Sequence, residues 1–260
     1  MEQNKPKAFL NIPTAILFAS VIVAVAIVWS RKPTTTLPPV NLAASAQAAI
    51  AGSKSPNISS VTSADHILGN PNAPIKIVEY SDPSCPYCKA FNSVMMQVMN
   101  VYGKNGKVAW VYRSFPLDKP DADGNVLHPN AGHESQALEC AAALGGNQAF
   151  WSFEQQLYTI TPSVTPQSPK GLDQSKLPVI AKSAGIDVNK FNNCLSTGQQ
   201  ANAVEAQYED GLNAGIAGTP YSFIVTSDAA PIPLPGLQTY STVNNAIQIL
   251  LSQGNTSGSN

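Results

Sequence analysis

The chain carries little charge: Asp, Glu, Lys and Arg make up 12 % of 260 residues, and 15 basic residues nearly cancel 16 acidic ones to leave −1. No global field exists to draw in a polyanion, which disfavours nucleic acid as a partner. Cysteine is sparse too. Four in the whole chain are too few for a small secreted scaffold held by disulfides, so any pairing must be read from spacing. The histidines number three, His66, His128 and His133; scattered and without a neighbouring cysteine, they read as solvated or helix-capping residues and not as a metal set. Aromatics reach only 7 %, and Trp110, Phe150 and Trp151 are assigned to core packing. Internal repeats are lacking. Against these shortages stands a hydrophobic content of 43 %, which argues for a packed core over intrinsic disorder.

One stretch has no charge at all. From Phe9 to Trp29 the chain reads FLNIPTAILFASVIVAVAIVW, which at about 1.5 Å per helical residue spans about 30 Å of hydrocarbon. This predicts a transmembrane anchor over 9–29 behind a short cytoplasmic segment, 1–8, with Trp29 at the interface and Arg31-Lys32 closing the run. A cleaved signal peptide competes, but its apolar region is shorter and a small-x-small site follows it directly; here Ala43-Ala44-Ser45-Ala46 lies well beyond. Lys5 and Lys7 before the run balance Arg31 and Lys32 after it, so charge alone leaves the orientation open. Residues 30–63, rich in Pro, Thr, Ala and Ser, read as a flexible stalk with a reach of about 30 Å. A domain is expected over 64–252 and a polar tail over 253–260. The tripeptides Asn57-Ile58-Ser59 and Asn255-Thr256-Ser257 match the glycosylation pattern, but such short matches are frequent and are read as coincidence.

Within the domain, Ile75 to Tyr80 and Lys107 to Tyr112 are β-rich runs. Phe91, Val94, Met95, Val98, Met99 and Tyr102 recur between them at the spacing of one helical face, which predicts a βαβ unit with parallel strands. Segments 131–144, 148–158, 176–183 and 199–214 read as helices, 221–226 and 232–234 as strands, and 241–251 as a last helix. A functional site is expected at the carboxyl ends of the parallel strands, where Ser81 to Cys88 falls.

Cys85-Pro86-Tyr87-Cys88 is the chemical centre. Two cysteines separated by two residues, at a strand end and opening a helix, bring both sulfurs within bonding reach. Pro86 suits the first turn, having no N–H to leave unpaired. Free backbone N–H groups and the helix dipole would hold Cys85 as a thiolate, both nucleophile and leaving group. Cys88, one turn in, would be buried and act as the resolving thiol. Half of a zinc site or an inert disulfide are the plainer readings; Cys140 and Cys194 are too far from each other to form the second close pair that structural zinc usually wants, and the βαβ placement favours redox chemistry.

With these residues in view, the chain resembles the DsbA-like branch of thioredoxin-fold disulfide oxidoreductases, particularly its membrane-tethered bacterial members. The likeness is carried by His66 to Pro74 (HILGNPNAP), Ile77 to Cys88 (IVEYSDPSCPYC), Tyr112 to Leu117 (YRSFPL) and Gly218-Thr219-Pro220, and runs from about Asp65 to Leu251. A CPYC tetrapeptide alone is also similar to glutaredoxins, but those are short and lack both tether and insertion. The resemblance implies an α/β thioredoxin fold with a central mixed sheet and a large helical insertion over about 129–214. It gives Glu79 the role of an acid beneath the cysteine pair, pointing inward on strand alternation and passing a proton to or from Cys88; an exposed strand residue is the bland alternative. It makes Thr219-Pro220 a cis-proline loop facing the pair, where the Thr219 backbone would bind an extended substrate chain beside Pro86 and Tyr87. Cys140 and Cys194 look like a second, structural pair found in some relatives, the alternative being two buried thiols. If bonded, they require an oxidising compartment, which would orient the N-terminus inside and the domain outside.

The implied function is a membrane-anchored thiol:disulfide oxidoreductase that forms disulfides in reduced extracytoplasmic proteins, recycled by a DsbB-like or VKOR-like quinone-linked membrane oxidase, with no cofactor, metal or nucleotide. A reductase or isomerase is the alternative within the same chemistry. Outside it stand a tethered Cu(I)-binding module using the same cysteines and a silent peptide-binding domain using only the Thr219-Pro220 groove.

Overall fold

The computed structural model describes residues 56–120, 123–162 and 171–257; the expected N-terminal segment and anchor, and the stalk up to residue 55, lie outside them. Among the described residues no helix is long and apolar enough to cross a membrane.

Five strands form one mixed sheet: β1 (His66–Gly69), β2 (Ile75–Ser81), β3 (Val108–Ser114), β4 (Tyr221–Val225) and β5 (Ile232–Pro235), in the order β1-β3-β2-β4-β5. Only β2 and β3 run parallel, with Ile77 opposite Trp110 and Glu79 opposite Tyr112; β1, β4 and β5 pair antiparallel. Parallel neighbours need a long crossover, supplied by α1 (Pro86–Val98) and a π-helical turn over Met99–Gly103. Every residue of β3 is buried, the signature of a strand covered on both faces.

Between β3 and β4 lies the helical insertion: α2 (Ala131–Ile160), α3 (Leu177–Ser183), α4 (Val188–Ser196) and α5 (Ala201–Asn213). The final helix is α6 (Tyr240–Ser257). Gly146, at φ 70°, breaks α2 into two arms, a backbone conformation that a side chain would resist. Two elements were not legible as sequence. Strand β1 has four residues on a sheet edge, too few to show a period. Helix α4 (VNKFNNCLS) buries only Phe191 and Cys194, a stripe too thin to stand out; Asp187 starts it by accepting a hydrogen bond from the Lys190 N–H at 2.9 Å.

The sheet separates two cores. Ile75, Ile77, Trp110 and Tyr112 face the larger one with α1, α2 and α6, while Val78, Tyr80, Val111, Phe115 and Phe223 face a smaller one with Ile216. Ile58 and Val61 pack against that smaller core. The Arg113 guanidinium, itself ion-paired with Asp65 and Asp210, donates to the carbonyls of Ser59 and Ser60, and Asp210 accepts from the Ser59 N–H. The end of the expected stalk is therefore built into the domain. Two histidines also depart from the sequence reading, in which they were solvated or capping residues. His66 is buried because β1 lays it on α2, stacked on Phe150 and paired with Glu139 at 2.9 Å, and His128 is buried at the carboxyl end of the sheet.

Candidate functional site

Strand β2 ends at Ser81, and Asp82-Pro83-Ser84 turns the chain so that Cys85 caps α1 in extended conformation with Pro86 in the first turn. The Cys85 N–H closes the turn onto the Asp82 carbonyl at 3.0 Å. No acidic residue occupies that first turn, so nothing there opposes a negative sulfur. Both cysteines are free thiols; Cys85 is 4 % exposed and Cys88 wholly buried, while Tyr87 between them is 62 % exposed. Because β4 pairs with β2, the residues just before it arrive over α1: the Cys85 sulfur stands 3.5 Å from the Thr219 carbonyl oxygen, and the Thr219-Pro220 peptide is cis. The structure thus brings Cys85, Cys88, Thr219 and Pro220 together, with Pro86 and Tyr87 on the rim.

The two thiols are pushed apart in acidity. Cys85 is lowered from an ordinary 9.0 to about 6, first because the Cys88 thiol donates a hydrogen bond to its sulfur; burial and the Asp82 charge oppose this, and the Cys88 N–H assists. The buried Thr219 hydroxyl, otherwise without a partner, also favours the thiolate. Sequence reasoning named the helix N-terminus as the cause. The Cys88 N–H belongs to that terminus, but the neighbouring thiol contributes more. Cys88 is pushed well above its ordinary value, chiefly by burial and then by its role as donor to Cys85.

Glu79 sits beneath the pair, 1 % exposed, with the Trp110 Nε1–H donating to Oε2 at 2.9 Å. Burial raises its carboxyl from 4.5 to about 7, and hydrogen bonds from Ser81 and Trp110 hold back part of that rise. A carboxyl so placed holds or releases a proton near neutrality.

Three acids went unnoticed in the sequence. Asp82, fully buried, accepts from the Ser84 N–H at 2.7 Å, the Leu117 N–H at 2.9 Å and His128 Nδ1 at 2.8 Å. Burial works against the His128 cation, but the Asp82 hydrogen bond and charge prevail and raise its pKa. Glu134 accepts from the Ser84 hydroxyl at 2.7 Å and from Gln174 at 2.8 Å, and burial lifts it to about 7. Glu154, fully buried, is held by the Asn92 and Gln155 amides and raised well above its ordinary value by burial and then by the Glu79 charge. A signal for two of these existed. Glu134 and Glu154 fall on the apolar stripes of α2, Ala131-Leu138-Ala141 and Phe150-Phe153-Leu157, where a charged side chain has no solvent to face. Asp82 and His128 meet only through a loop, which no period reveals.

Away from the pair, Cys140 of α2 and Cys194 of α4 form a disulfide, S–S 2.01 Å. Among the described residues no three His, Cys, Asp or Glu side chains group as a metal ion would require.

A thioredoxin family model matches residues 61–240. Over 128 residues the chain is 30 % identical to the Na+/H+ antiporter NhaA 1 of Mycolicibacterium gilvum, a match covering 49 % of this chain. The chain spans only 18 % of that antiporter's length. A putative protein-disulfide oxidoreductase of Rickettsia bellii is 36 % identical over 64 residues, 24 % of this chain and 25 % of that one. Among solved structures, Wolbachia pipientis alpha-DsbA1 superposes with a TM-score of 0.65 at 20 % identity, covering 78 % of this chain and 99 % of that one.

Proposed function

We propose that this chain, which belongs to the thioredoxin family, is a DsbA-type thiol:disulfide oxidoreductase that gives its Cys85–Cys88 disulfide to reduced proteins outside the cytoplasm. The observation that carries this reading is the opposed acidity of the two thiols, Cys85 at about 6 and Cys88 well above its ordinary value. A sulfur that stays ionised at neutral pH stabilises the reduced pair, and a stabilised reduced pair passes its disulfide on. A substrate thiolate attacks the Cys85 sulfur, forming a mixed disulfide and expelling Cys88, which takes up a proton. A second substrate thiolate then attacks the substrate sulfur of that mixed disulfide, forming the substrate disulfide and releasing Cys85 as thiolate. Two substrate thiols are oxidised and the pair is reduced; of the two protons released, one ends on Cys88 and one in solvent. The Thr219 carbonyl, 3.5 Å from Cys85, is an acceptor for an extended substrate backbone, and Pro86 and Tyr87 border the same path.

An oxidising compartment is supported by the Cys140–Cys194 disulfide. With the uncharged run at 9–29 as a single-pass anchor and 30–63 as tether, the domain would work on the outer face of the cytoplasmic membrane, the N-terminus inside. A DsbB-like or VKOR-like quinone-linked oxidase would then recover the reduced pair, the recycling step that the family resemblance implies. An isomerase or reductase is the second reading, favoured by one number: about 6 for Cys85 is nearer the roughly 7 of thioredoxin than the roughly 3.5 of DsbA.

Redox titration against glutathione, paired with oxidation of a reduced unfolded protein, tests the assignment. A potential above about −180 mV with stoichiometric transfer of the disulfide supports the oxidase, whereas a value near −270 mV, roughly that of thioredoxin, without transfer assigns a reductase. Cys88→Ala, which cannot resolve mixed disulfides, would trap the natural partners.

A further inference from the structure

We propose that Glu79 exchanges its proton with solvent through the Ser81 and Tyr158 hydroxyls, which lead to an open cleft between α1 and α2, and that Tyr158 is thereby a positioning residue for proton delivery to Cys88. The inference rests on the thiol–disulfide exchange proposed above and adds the route by which its proton arrives.

Each turnover sets the problem. Cys88 is expelled as a thiolate in a fully buried position, where burial and then the Asp82 charge favour its protonated form. Glu79 can supply one proton, but at 1 % exposure it must be recharged from elsewhere. Its hydrogen-bond partners differ in what they can carry. The Trp110 indole N–H only donates, so it orients the carboxyl and relays nothing. The Ser81 hydroxyl both donates and accepts. It stands two residues along β2 on the same face, close enough to act on the Glu79 carboxyl, and lies 3.1 Å from the Tyr158 hydroxyl, with either oxygen able to donate. Tyr158, only 4 % exposed, is one of the residues that line a cleft of about 420 Å³, and the Asp82 carbonyl at 3.3 Å gives its proton a resting acceptor between transfers.

The surroundings favour inward movement. Glu79 is faced by Cys85 and Cys88 from α1, by Tyr112 from β3, and by Glu154 and Tyr158 from α2. None of these is a cation, so a negative Glu79 has no counter-ion and draws a proton back. Glu154 reinforces this, since its charge repels that of Glu79 while its Asn92 and Gln155 partners line the same cleft.

The test uses the full chain with Tyr158→Phe, Ser81→Ala and the double variant, following by stopped flow the attack of reduced glutathione on the oxidised pair, the direction in which Cys88 takes up a proton. Each single variant is expected to slow the Cys88-dependent step by about 100-fold, the low end of a lost acid–base contribution. The double should be no slower than the slower single, because one break already opens the path. Imidazole, small enough for the cleft, should restore the rate of Tyr158→Phe, and the solvent deuterium effect on that step should grow in both singles. Losses that multiply in the double, a parental rate in Tyr158→Phe, or no rescue by imidazole would overturn the relay. If Tyr158→Phe fails to fold, Ser81→Ala and the isotope effect decide it. A parent that exchanges with glutathione but does not oxidise proteins sinks the oxidase reading and leaves the relay standing on its own result; a parent inert in exchange sinks both.

Discussion

Cys85 and Cys88 share one turn of α1, yet their acidities diverge, because one sulfur receives a hydrogen bond and the other gives it. Cys88→Ala should therefore raise the Cys85 pKa from about 6 toward its ordinary value, and Cys88→Ser, which keeps a donor, should raise it less. Thiolate absorbance near 240 nm reads both, and a Cys85 that titrates unchanged in Cys88→Ala would return the credit to the helix terminus. Glu79 makes a separate claim on stability. Its folded pKa of about 7 exceeds the ordinary 4.5, so between those values the native state binds more protons than the unfolded chain and stability falls as pH rises. Glu134, also lifted to about 7, adds to the same slope. In the oxidised protein, where Cys85 no longer titrates, urea unfolding at pH 5 and pH 8 should show this loss, and Glu79→Gln should recover up to about 3 kcal/mol of it at the higher pH. Equal slopes in parent and Glu79→Gln would mean the carboxyl stays charged. Of these residues, the cysteines were legible from spacing, and Glu79 from the family resemblance, with strand alternation turning it inward. Glu134 and Glu154 were legible in principle, as charges on apolar stripes; Asp82 and His128 were not, because their contact spans 46 positions with no regular element to carry a period.

Elements were readable in proportion to how much regular burial they show. The β2–α1–β3 unit could be read because its strands are nearly all buried and its helix sets Phe91, Met95 and Val98 on one face; β1 and α4 bury too little to leave a pattern. The connection between β3 and α2 illustrates what a single side chain does for an irregular element. Asp82 accepts from the Leu117 N–H and from His128, and the His128 N–H donates back to the Leu117 carbonyl at 3.0 Å, so one buried carboxylate fastens both ends of this loop beside the cysteines. Its charge also raises the pKa of Cys85 and of Cys88. Asp82→Asn should therefore act in two directions at once: the Cys85 pKa falls further, seen as faster alkylation at low pH, while the loop loosens, seen as faster proteolysis between 117 and 128. A variant with loosened loop and unmoved Cys85 would show that the carboxylate serves the loop alone.

At the scale of the molecule, one tie holds the entering chain and the insertion to the sheet and another closes the insertion on itself. Arg113 fixes residues 59, 60 and 65 to Asp210 of α5 on one face, and the Cys140–Cys194 bond joins α2 to α4 within the insertion. The disulfide closes a sequence separation of 54, which in the loop-entropy account stabilises the folded state by up to about 4 kcal/mol by restricting the unfolded chain. Both half-cystines lie on helices of the insertion while Cys85 opens α1, and the groups that set the Cys85 acidity are Cys88, Thr219 and Asp82. Replacing Cys140 and Cys194 together by Ala should therefore lower the midpoint of urea unfolding while the Cys85 thiolate titrates as in the parent. The parent assayed in strong reductant should approach the double variant, because reduction opens the same loop. Parent and variant of equal stability under oxidising conditions would mean that the bond is not formed in the mature protein, and with it would go the structural support for an oxidising compartment.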